Sequence, residues 1–161
     1  MKKGVALAFV RYLKPENIHI HCPLKTKETL LEFLSVVAAE SGIEVSKKTL
    51  QEKLLEREQT MSTGIGNAVG VPHTLVNGIQ DLHAFVITLK DPIPYESIDR
   101  KPVCVVFGLF GSPDRPNVSL GALATLGRIL RDESFVHALW RAKNREEIFR
   151  LLSEKETKKE S

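Results

Sequence analysis

Apolar and polar residues alternate through Asn17-Ile-His-Ile-His-Cys22, the period-two signature of a strand. The pattern then changes period. Thr26 stands as an N-cap ahead of Leu30, Leu31, Leu34, Val37 and Ala38 at helical spacing, with Gly42 beyond the end. Ser46 caps a second helix whose apolar stripe is Leu50 and Leu54, and which delivers Glu56-Arg57-Glu58. Leu82 to Leu89 and Val103 to Phe110, rich in Val, Phe and Ile, predict the two strongest strands. The link between them carries Pro92, Pro94 and Pro102 and cannot be regular throughout. After Pro113 and Pro116 the chain turns helical, with Leu120, Leu123, Leu126 or Gly127, and Leu130 marking one face. Asp132 caps the next helix, with Phe135, Leu139 and Trp140 inward. Asn144 and Glu147 make a capping-box-like start to the last, with Ile148, Leu151 and Leu152 apolar. The tail from Glu154 is almost wholly charged or polar and is expected to fray, while residues 1–16 read as a lead-in turn or short helix. Strands and helices alternate without a linker or repeat, which predicts one α/β domain, a sheet covered by helices.

Composition narrows the function classes. A chain of 161 residues with 42% hydrophobic content can build one real core. A formal charge of +3, with basic and acidic residues interleaved, excludes a nucleic-acid footprint. Cys22 and Cys104 are isolated among apolar neighbours, so they read as reduced core residues rather than a disulfide or metal pair. The apolar run at the N-terminus ends at Arg11 with no small-residue cleavage site, and no stretch approaches a membrane span. The expectation is a soluble cytoplasmic protein.

The candidate chemistry lies in Met61-Ser-Thr-Gly-Ile-Gly-Asn-Ala-Val-Gly-Val-Pro-His73. A histidine follows a glycine-rich stretch opened by two hydroxyl residues. A neutral imidazole is a competent nucleophile near pH 7. Ser62, Thr63 and the backbone N–H groups around Gly64, Gly66 and Gly70 can supply donors to an anion; equally, the glycines can serve turn geometry alone. A dinucleotide fingerprint would follow a strand and carry glycine at Val69, and a P-loop would end in Gly-Lys-Ser/Thr where Pro72-His73 stands. Neither nucleotide reading survives. Arg57 either folds back toward His73, where its donor fork suits a phosphoryl dianion, or pairs at the surface with Glu56 or Glu58. His19 and His21 share a face of the first strand, but no third metal ligand is indicated. They and His83 and His137 are read as structural.

Taken together, these residues resemble the IIA domain of the mannitol/fructose class of the bacterial phosphotransferase system. That family has Arg-Glu near a helix end, then Ser-Thr-Gly-Ile-Gly-Asn-Gly-Ile-Ala-Ile-Pro-His; here Arg57-Glu58 precedes Ser62 through His73. The likeness continues into Ile98-Asp-Arg-Lys-Pro-Val103 and the Leu-rich helix from Leu120, spanning roughly residues 17–153, with 1–16 as a lead-in and 154–161 as a flexible tail. The nitrogen-regulatory branch, short free-standing chains, is the most similar, down to His21-Cys22 and the lysine-bearing helix start after it.

The resemblance implies a mixed sheet flanked by helices. It implies a phosphocarrier without cofactor or metal, in which His73 accepts a phosphoryl group from an HPr-like phosphocarrier protein and Arg57 stabilises it, with Ser62, Thr63, Gly64 and Gly66 as the surrounding loop. Phosphorylation would then control a regulatory target protein. The alternatives are a sugar-transport component passing phosphate to a IIB subunit, and a binding module that works without phosphorylation. Three departures bear on the choice. Ser119 stands where the family usually has a second histidine, and its hydroxyl can still hydrogen-bond a phosphoryl oxygen as part of the phosphate-binding site. Ala68 and Gly70 reverse the usual Gly and Ala. Arg100 replaces a common Gly or Asn.

Overall fold

The computed structural model describes residues 8–158. A 3-10 turn at Val10–Tyr12 leads into β1 (Leu13–Cys22), followed by α1 (Lys27–Glu40) and α2 (Lys47–Thr60). Three short strands come next: β2 (Gly64–Gly66), β3 (Val69–Gly70) and β4 (His73–Leu75). The long strands β5 (His83–Ile93) and β6 (Val103–Gly111) are followed by α3 (Pro116–Ile129), α4 (Glu133–Arg141) and α5 (Arg145–Thr157). The sheet runs β1-β5-β6-β3-β2, with β4 also on β6. β5 is antiparallel to β6 and parallel to β1, while β3 and β4 run parallel to β6, so the sheet is mixed as expected.

Side-chain alternation divides the core into two layers. Phe85, Ile87, Val106 and Phe110 face α1 and α2, burying Leu30, Leu31, Leu34, Leu50 and Leu54. Ala84, Val86, Val105 and Phe107 face the other side, where α3, α4 and α5 contribute Ala122, Leu126, Leu139, Ile148 and Leu152. Every residue of β6 is buried, as a strand covered on both faces must be.

The helix starts follow the sequence. Thr26 forms a full capping box with Thr29, Ser46 accepts from Thr49 N, and Asp132 accepts from Ser134 N and Phe135 N. Asn144 accepts from Glu147 N, but Glu147 reaches back to Lys143 N rather than to the cap itself.

Several boundaries differ from the pattern-based reading. β1 begins at Leu13, inside the expected lead-in, because it pairs with Ala84 across Pro15, an exposed residue beside a register shift. Residues 1–7 of that lead-in lie outside the described residues. β5 continues past Leu89 through Pro92, where another register shift before Ile93 removes the need for a ladder donor. The buried face of α3 is Ser119, Ala122, Leu126 and Ile129, and Leu120 is 61% exposed. The buried face is thus rotated by one position from the one that the large residues mark. Trp140 is half-buried, its Nε1 donating to the Leu89 carbonyl at 2.7 Å. His19 packs edge-on against Phe33, whereas His21 has φ 52, leaving the extended backbone that a shared face requires.

The helix α5 runs past Glu154, where charged composition predicted fraying. Glu156 is the reason: its carboxylate is buried and accepts from the N–H groups of Ala8, Phe9 and Val10 at 2.6, 3.2 and 2.9 Å. It clamps the start of the described chain to its last helix and seats Phe9 against Phe107. Replacing Glu156 by Ala should leave three inward N–H groups unsatisfied and cost roughly 3 kcal/mol. Urea denaturation reads this directly, and a loss under about 0.5 kcal/mol, the range of surface substitutions, would contradict it.

Candidate functional site

The glycine-rich stretch folds as a tight hairpin rather than an open loop. β2 and β3 pair antiparallel across Asn67-Ala68, both at positive φ (54 and 65), the geometry of a two-residue hairpin turn. Such turns favour Asn-Gly, so Ala68 carries roughly 1–2 kcal/mol of strain that glycine would not. Gly70 has a different cause: a Cβ there would lie 2.9 Å from Cζ of Tyr95. Of the exchanged pair, Gly70 is required by Tyr95, whereas Ala68 is tolerated in the turn at a cost. Gly64 is also a close approach, against Ser97, while Gly66 has φ 97. Arg100, another departure, has φ 62, the conformation for which Gly or Asn is better suited. Asn67 ties the turn down, its backbone N–H to Asp99 and its Nδ2 to the carbonyls of Leu130 and Arg131.

After Pro72, β4 places His73 opposite Leu109 of β6. The imidazole Nδ1 lies 2.7 Å from the Val71 carbonyl. A carbonyl only accepts, so Nδ1 carries the proton and Nε2 keeps its lone pair. Burial lowers the pKa of His73 from 6.5; the Val71 bond and Glu58 oppose this, and Arg57 adds to it. The ring therefore stays neutral, and nucleophilic, to below its ordinary titration range.

His73 borders two cavities. One, about 540 Å³, is lined among others by Lys53, Arg57, Leu75, Ser119, Leu120 and Leu123. The other, about 380 Å³, includes Met61, Ser62, Thr63, Ile65, Ile98 and Arg131, and again Arg57. Arg57, on the last turn of α2, is thus at both; its Nη1 donates to the Met61 carbonyl at 2.9 Å. Among the described residues neither Glu56 nor Glu58 pairs with it: Glu56 meets Lys53 and Glu58 meets Lys27. Ser119 is buried in the second turn of α3, its Oγ set so close to Gly111 that a methyl there would overlap it. The large apolar side chains exposed among the described residues, Met61, Ile65, Leu75, Ile98 and Leu120, all line these two cavities.

The hydroxyls are less free than the sequence suggests. Ser62 Oγ donates to the Tyr95 carbonyl and accepts from Gly64 N. Thr63 is buried, its N–H and Oγ1–H both donating to Glu58, with Tyr95 Oη 2.9 Å from the same hydroxyl. Lys27 and Tyr95, which sequence reasoning did not place here, complete this cluster; Lys27 Nζ sits 4.4 Å from the Tyr95 ring centroid. Burial raises the Tyr95 phenol above its usual value, so it stays a hydroxyl. No sequence spacing flags either residue, since both arrive from separate elements.

Residues 11–155 match the model of the phosphoenolpyruvate-dependent sugar phosphotransferase system EIIA 2 family. The chain belongs to that family. The EIIA 2 domain here is 31% identical to a nitrogen regulatory protein of Klebsiella oxytoca over 137 residues, 84% of this chain and 82% of that one. Among solved structures, the nitrogen regulatory protein IIA-Ntr of Neisseria meningitidis superposes with a TM-score of 0.84 at 24% identity, covering 89% of this chain and 97% of that one. IIA mannitol of Escherichia coli gives 0.74 at 20% identity, covering 86% and 97%. These two likenesses establish the fold. No helix among the described residues is long and apolar enough to cross a membrane.

Because the native ring resists protonation, an NMR titration of His73 should show a midpoint below 6.5. Arg57→Gln should move it upward, since the guanidinium lowers it. The sign extends to stability: below pH 6.5 the unfolded chain binds a proton the native ring refuses, so this residue's contribution falls with pH until the native ring also protonates. A midpoint at or above 6.5 in the native protein contradicts the assignment.

Proposed function

We propose that this EIIA 2 protein is a regulator of the nitrogen-regulatory type, phosphorylated on His73 by an HPr-like phosphocarrier protein and recognised by a target protein according to that state. The observation that carries the reading is the 2.7 Å bond from His73 Nδ1–H to the Val71 carbonyl, on a ring that shares two cavities with Arg57. The Nε2 lone pair attacks the phosphorus of the carrier's phosphohistidine. A P–N bond forms at Nε2 as the carrier's P–N bond breaks, and that electron pair returns to the carrier's ring nitrogen. His73 keeps its Nδ1 proton throughout, and the Val71 carbonyl stabilises the positive charge the ring gains. The Arg57 guanidinium neutralises the phosphoryl oxygens, and in-line placement with charge stabilisation suffices for such a transfer.

Docking of a protein partner is supported by the concentration of exposed apolar side chains around His73, where a soluble surface would ordinarily be polar. The regulatory reading is supported by the similarity to a protein named for nitrogen regulation and by Ser119. A serine cannot alternate between charged and neutral forms beside the phosphoryl group as an imidazole can, so exchange is slow, which suits a signal better than a transport flux. Arriving as roughly two negative charges, the phosphoryl group changes what the apolar rim can bind.

Incubation with phosphoenolpyruvate, enzyme I and an active HPr-like carrier should add one acid-labile, alkali-stable phosphate by intact mass. His73→Ala should abolish it, and Arg57→Ala should slow it on the order of 100-fold, the scale of losing one charge-stabilising donor. Labelling that persists in His73→Ala sinks the assignment. No labelling of the wild type favours a phosphorylation-independent binding module, and rapid onward transfer to a IIB subunit favours sugar transport.

A further inference from the structure

We infer that Glu58 is a positioning residue for His73, setting the ring's tautomer through an unbroken hydrogen-bonded chain; its kinetic consequence rests on the phosphoacceptor reading above. The chain begins at Lys27, whose Nζ donates to Glu58 Oε2 at 2.8 Å with both side chains largely buried, 13% and 7% exposed. Lys27 also reaches Ser62 Oγ at 3.5 Å and the exposed Glu96 at 3.4 Å. Glu58 then holds Thr63 at two points, accepting from its N–H at 2.8 Å and its Oγ1–H at 2.7 Å. The Thr63 carbonyl accepts from Val71 N at 2.8 Å. The Val71 carbonyl, at the far side of that same peptide pair, accepts Nδ1–H of His73 at 2.7 Å.

Each link has the direction the next requires. Glu58, on α2, fixes Thr63 where the chain leaves the helix; Thr63 fixes Val71 where it leaves the hairpin; Val71 fixes the imidazole. A carboxylate is needed at the first link because it accepts two donors from Thr63 and a third from Lys27. Glutamine in its place has one acceptor oxygen and an amide that only donates. Lys27 supplies the counter-charge that a carboxylate in so buried a position needs, since an unpaired charge there would be costly. Without this hold, Thr63 no longer fixes the Val71 end of the segment, which β6 then holds only through its neighbours, and the Nδ1–H bond to the Val71 carbonyl weakens toward the Nε2–H tautomer that blocks the nucleophilic nitrogen. Arg57, the neighbour of Glu58 on the same helix, meets His73 at the cavities. The two residues thus divide the work: Arg57 provides charge for the incoming group and Glu58 provides the ring's orientation.

Nitrogen-resolved NMR of the His73 ring in the intact protein, without any phosphodonor, tests the link directly. The wild type should show a protonated Nδ1 and a bare Nε2. Glu58→Gln should mix the two tautomers. In transfer assays with a phosphorylated HPr-like carrier it should lower kcat on the order of 10- to 100-fold, with KM nearly unchanged, as misplacing a reacting group does. Lys27→Met, which removes the counter-charge but neither acceptor oxygen of Glu58, should disturb the ring in the same direction and by less. A folded Glu58→Gln protein with the wild-type ring signals overturns the proposal, whatever its labelling. Should Glu58→Gln fail to fold, Thr63→Val against Thr63→Ser decides: ring signals disturbed in Val and restored in Ser support the relay, and identical signals overturn it. If Glu58→Gln disturbs the tautomer but the wild type is never labelled on His73, the positioning role stands and the phosphoacceptor reading falls.

Discussion

A strand has two hydrogen-bonding edges, and β6 uses both. β5 occupies one edge from Val103 to Phe110, while the other is shared in sequence by β3 at Val105 and Val106 and by β4 from Leu109 to Gly111. The segment between β3 and β4 is only Val71-Pro72, and Leu109 N donates to the Pro72 carbonyl on the way. The hairpin and the histidine are therefore held in line along one buried, two-sided strand. Its burial excludes water from the ladder, so the placement of His73 inherits the rigidity of the sheet.

What this rigid edge supports is a small polar assembly with most of its groups already satisfied. Thr63 and Ser62 are bound to Glu58 and to the Tyr95 carbonyl, and the close approach of Tyr95 accounts for Gly70. The glycines serve geometry: a two-residue turn, a contact with Ser97 and a contact with an aromatic ring. The imidazole of His73 and the Arg57 guanidinium border both cavities. Around them lies an apolar rim, an unusual concentration for a monomer's surface and a natural meeting place for another protein.

Much of the fold was legible in the chain because it rests on local rules. Caps at Thr26, Ser46, Asp132 and Asn144 satisfy nearby N–H groups, and the Val-rich strands are recognisable from composition. The errors share a cause. The apolar face of α3 reads from the sequence through Leu120 and Leu123, whereas the helix buries Ser119, Ala122, Leu126 and Ile129 and leaves Leu120 at the rim. The charged C-terminal stretch was expected to fray because a lone glutamate normally seeks water; Glu156 is retained by three N–H groups from the opposite end of the chain.

By itself the sequence determined the layered α/β class, the Arg57-Glu58 helix end and Pro72-His73 as the candidate site, all of which depend on residues close together in the chain. It also carried the family likeness through residues matching in order. Only the tertiary structure decided which donors remain free, which tautomer His73 adopts, and that Lys27 and Tyr95 belong to the site. Those outcomes depend on partners far apart in sequence: Lys27 and Glu58 are 31 residues apart, and Thr63 and Tyr95 are 32. A hydrogen bond is set by distance and direction in space, and no periodicity along the chain encodes either.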